Sequence, residues 1–186
     1  MLAGHELIEL IQAGYIDAPI NQVGTSSIDV RLGGDMAVER GNWFTRLFWF
    51  WFHKPIDPTL KSDHQWRKQA IPAGGYLLRP GQFILASTDE RVALPDYITA
   101  QLLLKSSIAR TGCNHLYAAF IDAGFMGNIT LELHNVSSYP IKLTRGMKIS
   151  QLRFDQHVPT GDMSYAKRGQ YVGDKAKGTV ASQGAK

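Results

Sequence analysis

The chain has 186 residues, 44% apolar, 19% charged and 10% aromatic, which is enough for one substantial core and is neither a disordered nor a fibrous composition. Its formal charge of +4 lies in residues 167–186, where Lys167, Arg168, Lys175, Lys177 and Lys186 face Asp174 alone. The first 166 residues are therefore neutral in sum and lack the basic stripe of a dedicated duplex-nucleic-acid binder.

Leu7, Ile8, Leu10 and Ile11 recur at helical spacing and predict a short amphipathic helix with Gly14 as its stop. The start of the chain carries Glu6 and Glu9 and no apolar run between basic flanks, so no signal peptide is expected. From Ser27 the period changes to two: Ile28, Val30 and Leu32 alternate with Asp29 and Arg31, and Gly33-Gly34 reads as the end of that strand. Residues 40–69 match no regular period and read as a long excursion. Within it, Trp43 to Phe52 form an aromatic cluster, read as a partner or subunit surface or as a buried strand pair, and too short to cross a bilayer. No membrane association is expected.

Strand-like pieces then follow at 76–78, 82–86, 99–104, 116–121, 128–134, 141–143 and 148–154, with turn residues between them. Many short punctuated strands predict a mainly β domain, a barrel or a jelly-roll, over residues 1–159. Residues 160–186, rich in Gly, Lys and Ser, read as a flexible C-terminal arm.

Chemistry concentrates between residues 105 and 135. In Lys105-Ser106-Ser107-Ile108-Ala109-Arg110, serines open a short helix-compatible run whose hydroxyls and first-turn amides can receive a phosphate, or simply cap the helix. Asp122 opens a glycine turn in Phe120-Ile121-Asp122-Ala123-Gly124-Phe125, where an aspartate is ordinarily a turn-former. In Asn128 to Asn135, Ile129, Leu131 and Leu133 take one face and leave Thr130, Glu132 and His134 on the other. The single cysteine, Cys113, excludes an internal disulfide and a thiolate-rich zinc site, and fits a cytoplasmic protein.

Taken in order, these pieces resemble the dCTP deaminases of the trimeric dUTPase superfamily. The resemblance runs through Ser26-Ser27-Ile28-Asp29-Val30-Arg31-Leu32-Gly33, Leu78-Arg79-Pro80-Gly81-Gln82-Phe83 and the Lys105 to Arg110 run. It continues through Phe120 to Phe125, Thr130-Leu131-Glu132-Leu133, Gly146-Met147-Lys148-Ile149-Ser150-Gln151-Leu152, and the tail Gln170-Tyr171 with Gly178 to Ser182. It implies a distorted jelly-roll or β-clip barrel of the dUTPase type with a short N-terminal helix and a C-terminal arm that closes over the nucleotide. It further implies a homotrimer with shared sites.

The activity implied is hydrolytic deamination of dCTP. Glu132 would be the general base for water attack at C4, with Ser106 and Arg110 holding the water and stabilising developing charge. Asp122 would receive the sugar 3′-hydroxyl, Phe120 would pack on the deoxyribose, Ala118 would offer its carbonyl to the exocyclic amine and His115 would support the site from behind. Lys105, Ser107, Gln151, Tyr171 and Lys175 would meet the triphosphate. For the arm cation the choice stays open among Lys167, Arg168, Lys175 and Lys177. Mg²⁺ would ride on the triphosphate with no protein ligands and no zinc, since the zinc deaminases need a His/Cys/Cys or three-cysteine set. Ala119 and Phe120 are closer to the bifunctional deaminase/dUTPases than to the monofunctional type, leaving the product open between dUTP and dUMP. Two alternatives remain at this stage: a plain dUTPase, using Asp122 as its base, and a non-catalytic nucleotide-binding regulator on the same fold.

Overall fold

The computed structural model describes residues 1–39, 66–115 and 119–169. The expected N-terminal helix is α1 (His5–Gln12), which buries Leu7 and Leu10. Gly14 ends it with a φ of 76°, and the turn closes through Gly14 N donating to Ile11 O and Tyr15 N to Leu10 O, the paired bonds of a glycine-stopped helix.

Ten strands follow among the described residues: β1 (Ile28–Glu39), β2 (Trp66–Ala70), β3 (Tyr76–Leu78), β4 (Phe83–Ala93) and β5 (Ile98–Leu104), then β6 (Cys113–His115), β7 (Phe120–Ile121), β8 (Met126–Asn135), β9 (Ile141–Leu143) and β10 (Lys148–Gln156). Among the described residues two short helices accompany them, α2 (Ser106–Ala109) between β5 and β6, and α3 (Tyr165–Arg168) after β10. The main sheet runs β6-β8-β4-β1-β10-β5-β7 with β2 also on β1, while β3 and β9 pair separately. Every pairing is antiparallel. The sheet curls around one core that includes Ile28, Leu32, Met36, Ile84, Leu131, Leu133, Ile149 and Phe154, all fully buried. This is the mainly β, distorted jelly-roll class expected.

Three expectations change. Gly33-Gly34 does not end β1, which continues to Glu39. A Cβ at Gly33 would lie 2.9 Å from the Ser87 carbonyl oxygen and 3.0 Å from that of Thr88, so the glycine lets β1 press against β4 where their register shifts. Here β1 also exchanges partners along one edge, from β10 at Ile28 to Arg31 to β2 at Asp35 to Glu39. Second, residues 66–69, read as part of the excursion, are strand. Backbone pairing to β1 defines β2 rather than any apolar alternation, and Trp66 lies edge-on to Phe83 at 5.7 Å. Third, Cys113 to His115 form a strand that three residues cannot signal by periodicity. The aromatic cluster Trp43 to Phe52 lies outside the described residues.

The first part of the expected arm is seated on the domain. Tyr165 N donates to Ala123 O, Ser164 Oγ donates to the same oxygen, and the Tyr165 ring lies 5.8 Å from that of Phe125.

Candidate active site

Four strands, the helix α2 and the turn at Asp122 position the described residues among those singled out from the sequence. Lys105 is the residue that caps α2, not a serine: its φ and ψ are extended, its carbonyl accepts from Ile108 N and Ala109 N, and no side chain caps the helix. Ser106 and Ser107 are therefore first-turn residues, exposed together with Arg110. Lys105 N donates to Ile149 O, which ties the helix start to β10.

At that tie the chain brings together residues far apart in sequence. Lys105 Nζ donates to Asp29 Oδ1 at 2.5 Å, and Lys148 Nζ lies 3.1 Å from Asp29 Oδ2. Asp29 stands opposite Gln151 in the β1–β10 ladder, and Ser27 Oγ donates to Gln151 Oε1 at 3.1 Å. Burial alone would raise the Asp29 carboxyl, but the hydrogen bonds and charges of Lys105 and Lys148 outweigh it and hold the group below the ordinary aspartate range. Asp29, Ser27 and Lys148 were not assigned roles from sequence. The alternation of β1 marks Asp29 as outward-facing, but nothing local names its partners.

Two residues along β1, Arg31 belongs to a different cluster. Its backbone N and its Nε each donate to Glu90 at 2.7 Å, its Nη2 reaches Asp89 at 3.1 Å, and Gln22 Nε2 donates to Glu90 Oε1 at 2.9 Å. Glu90 is 1% exposed, so this is a buried charge satisfied by a guanidinium, an amide and a main-chain N–H.

Glu132 lies on β8 with Thr130 and His134 on the face opposite to Ile129, Leu131 and Leu133. It is half-buried and faces Leu85 across the β4 ladder. His115 is register partner to Leu133 and therefore sits on the other side of the sheet from Glu132. Phe120, on β7, is 66% exposed. Asp122 is exposed in a turn in which Phe125 N donates to Asp122 O and Gly124 adopts a φ of 85°. Ala118, Tyr171 and Lys175 lie outside the described residues.

Within one chain the Asp29 cluster and Glu132 stand apart along the sheet, whereas α2 leads into β6, whose His115 pairs with Leu133 next to Glu132. Glu132 pairs with Leu85, which pairs with Ala37 of β1, eight residues along that strand from Asp29. At a rise of ~3.3 Å per residue this is about 26 Å measured over the bend of β1. Both groups also stand on the outer face of a curled sheet, where side chains splay apart. A groove of about 320 Å³ behind α2, lined by Ile108, Thr111, Tyr139, Pro140, Ile141, Lys142 and Met147, contains none of the carboxylates. Among the described residues no group of three or more His, Cys, Asp or Glu side chains is placed to hold a metal ion.

The chain is thus an antiparallel jelly-roll that carries two lysines, Ser27 and Gln151 around Asp29, with Glu132 and Asp122 facing outward elsewhere. The family model described as dCTP deaminase-like matches residues 1–157. The dUMP-forming dCTP deaminase of Persephonella marina is 37% identical over 168 residues, covering 87% of this chain and 83% of the relative. That of Clavibacter michiganensis subsp. michiganensis is 42% identical over 152 residues, 78% of this chain and 71% of the relative. The solved 2′-deoxycytidine 5′-triphosphate deaminase from Agrobacterium tumefaciens matches with a TM-score of 0.62 at 23% identity. It aligns with 82% of this chain, which spans about half, 46%, of that longer protein. The chain belongs to the dCTP deaminase-like family.

Proposed function

We propose that this protein hydrolyses dCTP, taken up as its Mg²⁺ complex, to ammonia, pyrophosphate and dUMP. The observation that carries the reading is the cluster at the start of α2, where Lys105, Lys148, Ser27 and Gln151 converge in a chain of this family. The relatives bear the dUMP-forming name, and Ala119-Phe120 supports the same bifunctional type.

In the first step Glu132 takes a proton from water as its oxygen adds to C4 of cytosine, with Ser106 and Arg110 stabilising the charge that develops. Glu132 returns the proton to the exocyclic amine, the C4–N bond breaks and ammonia leaves, giving the uracil ring. A second water attacks the phosphoanhydride, served by Asp122, and pyrophosphate departs. Phe120 packs on the deoxyribose, Ala118 accepts from the exocyclic amine, and His115 braces β6 from the core side. Lys105, Ser107 and Gln151, with Tyr171 and Lys175 of the arm, hold the phosphates.

The separation along the sheet of Glu132 from the Asp29 cluster supports an active site completed by a second copy of the chain, and so a homotrimer in which each site draws on neighbouring subunits. Incubation with dCTP and Mg²⁺, followed by ion-pair chromatography, tests the reaction: dUMP, pyrophosphate and ammonia should appear in equal amounts. Accumulating dUTP would restrict the enzyme to deamination. Turnover of dUTP with dCTP left intact would make it a dUTPase.

A further inference from the structure

We infer that Asp29 is a positioning residue for the polyphosphate end of the site and that Lys148 is a second phosphate-binding cation there, the two lysines being held side by side by one carboxylate. The inference rests on the reading that the start of α2 receives the triphosphate, and it names residues to which that reading gives no part.

The two oxygens of Asp29 are divided between the lysines, Oδ1 taking Lys105 and Oδ2 taking Lys148. Two ammonium groups this close repel each other, and their long flexible stems would otherwise carry them apart into water. The carboxylate between them removes the repulsion and leaves the trio one positive charge to offer an anion. Ser27 adds to the arrangement by donating to the Gln151 oxygen, so that the NH₂ end of that amide is the one available to donate.

Asp29 itself is fixed from below. Gln22 Nε2 donates to Asp29 O at 2.6 Å and also to Glu90, and Gln22 is 4% exposed. Arg31, the nearest alternative partner for Asp29 on its own strand, is committed to Glu90 and Asp89. The carboxylate therefore stands on rigid backbone with only the two lysines to hold, which is the support a preorganised anion site requires. A chain of linked phosphates suits two cations spaced across one carboxylate better than a single phosphate does.

The sign of the effect in Asp29→Asn separates positioning from bare charge. Removing a negative charge next to a polyanion should, by charge alone, tighten binding. Loss of positioning should instead raise KM for Mg²⁺–dCTP about tenfold with kcat within about threefold, and weaken inorganic tripolyphosphate measured by calorimetry by a similar factor. Asp29→Glu should recover part of both. Lys148→Met should raise KM several-fold and flatten its salt dependence. An Asp29→Asn protein with an unchanged thermal midpoint and an unchanged or lower KM overturns the positioning role. Should Asp29→Asn not fold, Lys148→Met decides, and an unchanged KM in it overturns the inference. If the wild type binds tripolyphosphate but leaves dCTP intact, the deaminase reading fails, while tripolyphosphate affinity in Asp29→Asn still settles this one. If the wild type turns dCTP over and Asp29→Asn binds both ligands normally, this inference alone fails.

Discussion

The two ends of the candidate site are built by different means. At the end proposed to bind the phosphates, charged and polar side chains from β1, β10 and the start of α2 hold one another: Asp29 grips two lysines, and Ser27 orients Gln151. At the end proposed to bind the sugar, backbone does the holding. The turn that presents Asp122 is closed by Phe125 N to Asp122 O and Gly124 N to Pro95 O, and the start of the arm docks on it through Ala123 O. The contacts around Asp29 are made within one chain. Phe120, Asp122 and Glu132 all face outward, Phe120 and Glu132 from strands toward opposite edges of the sheet, and outward groups need an opposing wall before they enclose a ligand.

The sharpest break falls among those outward groups. Glu132→Gln keeps the shape of the carboxylate and removes its proton-accepting role, so nucleotide binding should survive while deamination falls ~10²-fold or more. More than half the normal rate in the variant would remove Glu132 from the role of base. The same variant probes assembly. Mixed with Ser106→Ala subunits after joint unfolding and refolding, it should regain activity in about a quarter of sites if each site takes these two residues from different chains of a randomly mixed trimer. No recovery would place both residues in one chain, and a monomeric mass by light scattering would defeat the trimer directly.

Gly124 separates the two ends next. A side chain there faces a φ of 85°, and its Cβ would lie 2.1 Å from Ser164 Oγ and 3.0 Å from Ala166 N. Gly124→Ala should lower stability by about 1–3 kcal/mol and unseat the start of the arm from the Asp122 turn. KM should rise with the loss of the docked arm, whereas the affinity for tripolyphosphate at the Asp29 end should fall much less. Equal losses at the two ends would mean that they are one cooperative unit.

What was legible in the sequence divides along the same line. Glu132 and Asp122 could be singled out because each sits in a local pattern: an alternating strand in one case, a glycine turn in the other. Asp29 shows only that it faces outward. Its lysine partner at 105 lies 76 residues away, and local periodicity carries no information about such a pairing. The course of β1 was hidden for a related reason. A glycine pair reads as a stop unless β4 is known to press against it, and only the folded chain supplies that neighbour. Strands β2 and β6 were missed because pairing with β1 and β8, rather than their own residues, makes them strands.

The smallest effect belongs to the pH dependence of the Asp29 cluster. Its carboxyl is held below the ordinary aspartate range in the folded protein, so the unfolded chain binds its proton at a higher pH than the folded one. Stability from this group is then fully present above the unfolded value of ~3.9 and is lost as the pH falls through the lower folded value. Asp29→Asn removes the titrating group altogether. The gap in urea midpoint between wild type and variant should therefore be constant from neutral pH to about 5 and should narrow as acid protonates Asp29 in the unfolded and then the folded wild type. Asp155, also depressed, through the hydrogen bond from the N-terminal ammonium and, to a lesser extent, the one from Arg153, is common to both proteins and cancels in the difference. A gap that stays the same down to pH 3 would mean that the two lysines leave Asp29 with an ordinary carboxyl, and the clamp at the phosphate end would then be a crowded surface rather than a preorganised one.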